Sequence, residues 1–499
     1  VRRVLVLAVL AVSGLVLAGC GSLVGAGSNL TCVVLPDGAP NCFGGNADGQ
    51  AGHSAGTSPA APGAVQLPKG WGVADLAVGK GDPDGDATVC AATGKRGAAR
   101  NVVRCWGDDD HGQLGRGAAG AASAAPVAVD LGGGGADTVG VGAFSACALT
   151  EAVYCWGDNT HGQLGTATPG IAGPAPVPGT SKYRSSDGQT STPVLLAVGE
   201  LHVCAGIASA ITCWGQGTSG QLGNGQAADS ATPVKLAFPK GMKTVGAISA
   251  GGAFTCATFD ADGFDVQRGA WCWGANESGQ LGDGTTTASA VPVKVQLPDG
   301  AEPNQISAGR AHACVVDRAS AVWCWGQNGQ GQLGNGTTTN SATPVRVPGV
   351  AATLIAAGVD HTCASTTKGR LRCWGANALG QLGIAAGGPS AAPLTVPGID
   401  GLRAPAKKGV RVTGAARVGG TLAATTPAWP YAASYGYEWQ RRTEEGWEAI
   451  RGAEARTLRV RAALAGASVR VVVSGRNAWT ETAVVETPSA TSRAVTVAG

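Results

Sequence analysis

Between residues 22 and 400 the chain consists of short apolar runs separated by Gly-, Asn- and Asp-rich stretches, a pattern of strands and tight turns. It is clearest over 307–348, SAGRAHACVVDRASAVWCWGQNGQGQLGNGTTTNSATPVRVP. That stretch predicts four strands: an approach ending in Ala-Gly, an H-x-C-x run, an x-x-C-W run and a P-V-x-V run. Side chains alternate faces along a strand, so His312 and Cys314 share one face while Trp325, next to Cys324, points to the other. The C-W-G phrase, or C-F-G in the first copy, recurs with Cys at 42, 105, 155, 213, 272, 324 and 373. A period near 50 built from short strands predicts propeller blades.

A blade packs on a neighbour through both faces, so both must be filled. Trp106, Trp156, Trp214, Trp273, Trp325 and Trp374 supply one filling, with Phe43 in their place in the first unit. After each Trp comes Gly-Gln-Leu-Gly, at 112–115, 162–165, 220–223, 279–282, 331–334 and 380–383. Its glycines suit turns, its Leu can turn inward and its Gln can bond loop backbone. These units resemble the regulator of chromosome condensation repeat family. The resemblance implies an all-β fold with a seven-bladed β-propeller over residues 20–400. The first unit departs from the pattern, with CFGGNADGQAG at 42–52. Pro393-Leu394-Thr395-Val396 is expected to pair with strands of that first unit and close the ring.

The pattern stops near 400. Residues 401–409 read as a linker, and 410–499 as short strands in which Tyr437 and Trp439 alternate with Glu438 and Gln440. This segment resembles the Ig-like β-sandwich modules of bacterial surface proteins. At the other end, VRR precedes an apolar run closing in Leu17-Ala18-Gly19-Cys20. The run is short for a membrane-spanning helix. It resembles a bacterial lipobox, which implies that residues 1–19 are a signal peptide, that Cys20 carries the lipid, and that the protein sits in the cell envelope on the extracytoplasmic side of a bacterial membrane.

Cysteine usage sharpens this picture. Besides Cys20 there are seven pairs, one per unit: Cys32 with Cys42, Cys90 with Cys105, Cys147 with Cys155, Cys204 with Cys213, Cys256 with Cys272, Cys314 with Cys324 and Cys363 with Cys373. Turn residues between the members place each pair across a hairpin. C-x₂₋₄-C zinc spacings are lacking, which disfavours metal. Buried thiols remain an alternative, and export together with the even count favours disulfides.

Candidate chemistry is sparse. His202, His312 and His361 lie two residues before a Cys, and His111 and His161 precede turns; structural roles are expected for all five. The acidic stretches 81–90 and 260–265 hold spaced Asp residues without completing a calcium loop. The Asp108-Asp109-Asp110 triplet reads as a solvated loop tip. Net charge is +3, with no Lys/Arg run that would mark a nucleic-acid partner. The sequence shows no nucleophile elbow, H-E-x-x-H or phosphate loop, and no metal or cofactor is expected. The longest departure from the repeat, 165–195, holds Tyr183 and Arg184, residue types favoured at binding hot spots. Either 175–177 or 192–194 could supply that unit's P-V strand.

The expected function is therefore a lipid-anchored, non-enzymatic scaffold whose propeller loops bind a protein partner. The resemblance also admits an inhibitor of a secreted or periplasmic enzyme. In another class it admits an enzyme or guanine-nucleotide exchange activity at a propeller face, against which export argues.

Overall fold

The structure, a computed structural model, describes residues 24–35, 37–56, 61–81, 87–95, 101–184, 190–239, 242–261, 269–400, 412–424, 432–443, 446–450, 453, 455–477, 489–491 and 495–496. The leader 1–19, Cys20 and the linker 401–409 lie outside these residues. So do 82–86 and 262–265, the centres of both acidic stretches.

From Val24 to Asp400 the described strands form seven antiparallel four-stranded units and one separate two-stranded pair, Tyr183–Arg184 with Thr190–Ser191. The sixth shows the plan: Pro303–Ala308, His312–Asp317, Ala321–Gly326 and the first half of Ser341–Ala357. The second half of that last strand pairs with His361–Thr366 and opens the seventh unit. Strands alternate in direction, so each unit has two ends. Turns from first to second strand and the Gly-Gln-Leu-Gly loops lie at one end. The hairpins between second and third strands, and the links to the next unit, lie at the other.

In every unit the two cysteines are direct cross-strand partners on the second and third strands, as in Cys314↔Cys324. The structure joins all seven pairs as disulfides. In units one to four these are Cys32 with Cys42, Cys90 with Cys105, Cys147 with Cys155 and Cys204 with Cys213. In units five to seven they are Cys256 with Cys272, Cys314 with Cys324 and Cys363 with Cys373. The alternative of buried free thiols is thereby set aside for these fourteen residues. Loops this short contribute roughly 3 kcal/mol each in the chain-entropy account.

Neighbouring units interlock by one rule. Trp325 packs in the same buried cluster as Cys256 and Cys272 of the preceding unit, and Trp374 with Cys314 and Cys324. The rule runs round the ring to Phe43, which covers Cys363 and Cys373 of the last unit. Each indole N–H also donates to the main-chain oxygen of the preceding unit's loop Gln, at 2.7–3.0 Å for Trp106, Trp156, Trp214, Trp273, Trp325 and Trp374. Burying the indoles this way leaves their polar atoms satisfied.

At the axis, seven glycines close a circle: Gly27, Gly79, Gly142, Gly199, Gly251, Gly309 and Gly358. A Cβ on any one would fall within 3.0 Å of the carbonyl oxygen of the next, with Gly358 returning to Gly27. Only residues without a Cβ allow seven inner strands to converge this tightly.

Closure differs from the sequence expectation. Pro393–Val396 belongs to Ser390–Asp400, which pairs with Arg370–Gly375 of its own unit and not with the first. The first unit is already complete, because Gly63–Ala64 supplies its fourth strand. Ring closure is made by contacts across a seam instead: Val359 N–H donates to Gly27 O at 2.8 Å, and Thr31 Oγ1 donates to Gln381 O at 2.9 Å. In the third unit Ala172–Pro176 takes the outer position, so of the two alternatives 175–177 covers the end of that unit's outer strand and 192–194 leads into the next unit. The outer strands carry Pro126, Pro233, Pro292, Pro344 and Pro393, which blunt exposed sheet edges.

The C-terminal segment forms a three-stranded and a five-stranded sheet that share one core. Trp439 is fully buried there between exposed Glu438 and half-buried Gln440, and Leu422, Leu458, Val469 and Val471 surround it.

Candidate functional site

The histidines that precede the cysteines are built into the frame. His202 Nε2 lies 2.8 Å from Thr255 Oγ1 of the next unit, His312 Nε2 2.9 Å from Thr362 Oγ1, and His361 Nε2 2.8 Å from Thr31 Oγ1. Each of these threonines gives its own proton to a loop Gln carbonyl, so its oxygen accepts and the imidazole carries hydrogen on Nε2. Nδ1 is left a buried lone pair without a partner in all three rings. Burial therefore pulls their pKa values from 6.5 down to about 3 for His202 and His312 and about 4 for His361. Where the position holds Leu30, Thr88, Ser145 or Phe254, the facing residue in the next unit is Val89, Ala146, Val203 or Ala313. A His in one unit thus coincides with a Thr in the next, a signal that is present in the sequence but becomes meaningful only once neighbouring units are superimposed.

Sequence reasoning missed the charged groups at the axial mouth. The residue after each ring glycine stands at the end of the inner strand; these include Ser28, Lys80, Glu200 and Arg310, with Asp360 one place further on. Lys80, in the second unit, reaches across the axis and donates to Ala250 O at 2.6 Å and to Ala308 O, in the fifth and sixth units. Those two units lie diametrically opposite the second in a ring of seven, so the side chain is a strut through the centre. Burial lowers its pKa from 10.5 to about 8, against the opposing effect of Glu200.

Arg310 Nε lies 3.3 Å from Glu200 Oε1, with the guanidinium side chain 43% exposed. Burial raises the Glu200 pKa while Arg310 and Lys80 hold it down. Burial likewise raises Asp360, with Arg310 opposing, and Asp360 Oδ1 accepts from Gln332 Nε2 at 3.3 Å. Ser28 Oγ is buried without a hydrogen-bond partner. Over a fixed strut and a rigid glycine circle, this end presents a half-exposed cation between two half-buried carboxylates. Such a surface suits polar recognition. Among the described residues no group of three or more His, Cys, Asp or Glu side chains is placed to hold a metal ion.

The residues singled out in the sequence have other places. Tyr183 is 4% exposed and its hydroxyl lies 3.0 Å from Thr212 Oγ1, so its ring packs inward on the fourth unit instead of facing a partner. Arg184 pairs with Thr190 through the backbone, and its side chain lies outside what is described. Both stand at the end opposite the Arg310 cluster. Of the Asp triplet only Asp110 is exposed. Asp109 is fully buried and accepts from Leu114 N at 2.7 Å, at the place where other units use Asn159, Asn276, Asn328 and Asn377 for the same bond. His111 stacks on Phe144, and His161 pairs with Asp229.

Comparison with known proteins agrees with this geometry. The sequence profile of the RCC1-like domain matches residues 98–422. The ultraviolet-B receptor UVR8 of Arabidopsis thaliana is 31% identical over 167 residues, covering 33% of this chain and 37% of the receptor. The human E3 ubiquitin-protein ligase HERC2 is 26% identical over 165 residues, 33% of this chain and 3% of the ligase. The matches thus span 37% or less of these relatives' own lengths. Among solved structures, yeast RCC1 (Prp20) bound to Kap60 has a TM-score of 0.59 at 18% identity, covering 79% of this chain and 91% of that one. Human WBSCR16 has a TM-score of 0.57 at 24% identity, covering 68% and 84%. At these identities the structural likeness concerns the fold.

Proposed function

The chain belongs to the RCC1-like domain family, and we propose that it is a non-catalytic interaction scaffold, held by a lipid on Cys20 at the extracytoplasmic side of a bacterial membrane. The partner is a protein that docks on the axial end carrying Arg310, Glu200 and Asp360. The observation that carries this reading is the half-exposed Arg310–Glu200 pair, seated over the Lys80 strut on a frame of seven disulfides. A charged pair held this rigidly loses little entropy on binding, which favours recognition. Propellers of this fold are seen with protein partners: yeast RCC1 with Kap60, and Prp20p with Gsp1p and histones. The disulfides favour an oxidising compartment, in keeping with export. The C-terminal pair of sheets would serve as an Ig-like spacer or second contact.

A related reading makes the partner a secreted or periplasmic enzyme that the propeller inhibits; the same surface serves both. An enzymatic or nucleotide-exchange role would instead require the axial groups to turn over a substrate. Affinity capture from cell-envelope extract and culture supernatant, using residues 21–499 with disulfides intact, tests the reading. A stoichiometric protein retained in preference to the disulfide-reduced chain supports it. Retention of no protein would remove the scaffold proposal.

A further inference from the structure

The sequence has no long run of Lys or Arg, yet the ring gathers cations one unit at a time. Lys235, Lys294 and Arg346 occupy the same register on the outer strands of units four, five and six, opposite Thr212, Trp271 and Trp323. All three are exposed. Lys294 and Arg346 each lie 6.0 Å from the ring centre of the facing tryptophan. Lys368, exposed in the second hairpin of unit seven, continues the arc. Acidic residues are interspersed with these cations: the sequence of the unit-five hairpin that joins Phe254–Ala261 to Gly269–Gly274 includes Asp260, Asp262 and Asp265. Glu302 is paired with Arg318 at 3.4 Å, Asp317 accepts from Trp323 Nε1 at 3.2 Å, and Asp299 is exposed. The opposite end exposes Asp110, Asp229 and Glu277 beside Arg116 and Arg310.

The chain enters at the same end as the arc. Val24 begins the inner strand of unit one and runs toward the Gly27 circle, so its start lies at the hairpin end, beside unit seven. Cys20 stands four residues earlier, a reach of no more than about 14 Å of extended chain.

We propose that the arc from unit four to unit seven is a docking surface for anionic lipid headgroups. Lys and Arg stems suit a membrane interface, where ammonium and guanidinium groups meet phosphate; the half-buried Trp323 adds an indole near headgroup depth, while Trp271, 7% exposed, backs Lys294 from within the core. A single lipid attachment combined with a cationic patch holds a protein to a bilayer far better than either alone. The arc would lay this end on the membrane and turn the Arg310 end outward. That orientation rests on the Cys20 anchor and the axial site proposed above; the headgroup contact itself does not.

The test uses residues 21–499, which keep every described residue and carry no acyl chain, mixed with vesicles of phosphatidylcholine alone or with phosphatidylglycerol added. Co-sedimentation is expected with the anionic vesicles only, and should be lost in about 0.5 M salt. Each headgroup-facing cation changes affinity about fivefold, so K235E/K294E/R346E should weaken binding by roughly a hundredfold or more. Equal binding to both vesicle types, or undiminished binding in high salt, overturns the proposal on the wild-type chain alone, whatever the fate of the triple variant. Unchanged affinity in a folded triple variant also overturns it. Stronger retention by a DNA duplex of matched charge would reassign the arc to nucleic acid. None of these arms involves a protein partner, so failure here leaves the scaffold reading separately testable.

Discussion

Acid should loosen this ring through its three buried histidines, and the effect can be isolated at His312. The folded protein keeps His312 neutral down to about pH 3, whereas an unfolded chain protonates it through 6.5. Between these values the unfolded state binds the additional proton, so stability falls as pH falls and the loss is complete only below the folded pKa. At about 1.4 kcal/mol per unit, a drop to pH 5 costs about 2 kcal/mol at His312. His202 and His361 add similar amounts, giving about 6 kcal/mol together, a large share of the stability of an ordinary domain. The informative perturbation is the double change His312→Leu with Thr362→Val, which copies the Leu30 and Val89 combination already buried between units one and two. It removes the titrating ring and its partner together, so no polar atom of the pair is stranded. Urea unfolding followed by tryptophan fluorescence, with disulfides intact, should show near wild-type stability at pH 7. The loss between pH 7 and pH 5 should be smaller than in wild type by about 2 kcal/mol. Thr362→Val alone strands the imidazole N–H and should cost about 1–3 kcal/mol at both pH values. An identical pH-dependent loss in wild type and the double variant would refute the reasoning, as would a His312 resonance titrating near pH 6.5.

Three further outcomes follow from the frame. Phe43→Trp should stabilise the seam by about 1 kcal/mol in denaturant titration, because Gln381 O receives one donor where Gln332 O receives two. Gly309→Ala should destabilise by at least about 2 kcal/mol, since its Cβ would meet Gly358 O and the His312 ring; a melt equal to wild type would contradict the glycine circle. Intact mass of the protein isolated from membranes should correspond to a chain beginning at Cys20, with an acyl adduct and fourteen oxidised cysteines; free thiols or an uncleaved leader would contradict the anchor.

Much of the frame is legible in the sequence because it is local. The pairing of Cys32 with Cys42, and of its six counterparts, follows from spacing within one hairpin. So do the four-strand unit and the outward step from Cys324 to Trp325. What escapes depends on contacts between units or across the ring. Lys80 meets carbonyls 170 and 228 residues away, and its flanking sequence gives no hint of a buried cation. Lys235, Lys294 and Arg346 lie 59 and 52 positions apart, so no window along the chain groups them. Tyr183 sits in a long polar insertion and reads as exposed, but the insertion folds back and buries the ring against Thr212. The final P-L-T-V strand reads as crossing the seam on the expectation of a shared closing unit. Here both terminal units are complete, and the seam is closed by Phe43, Thr31 and the glycine circle.

The claim that recognition resides at the axial mouth is tested most directly by exchanging its two charges. Glu200→Arg with Arg310→Glu keeps opposite charges across the 3.3 Å contact and reverses the pattern presented to a partner, while also removing the carboxylate beside Lys80 and the cation beside Asp360. Capture from cell-envelope extract would be run side by side with wild type, with matched thermal melts as the check on folding. The account predicts that a stoichiometric protein retained by wild type is lost from the exchanged variant. Retention of the same protein by both would place recognition elsewhere on the ring and contradict the account.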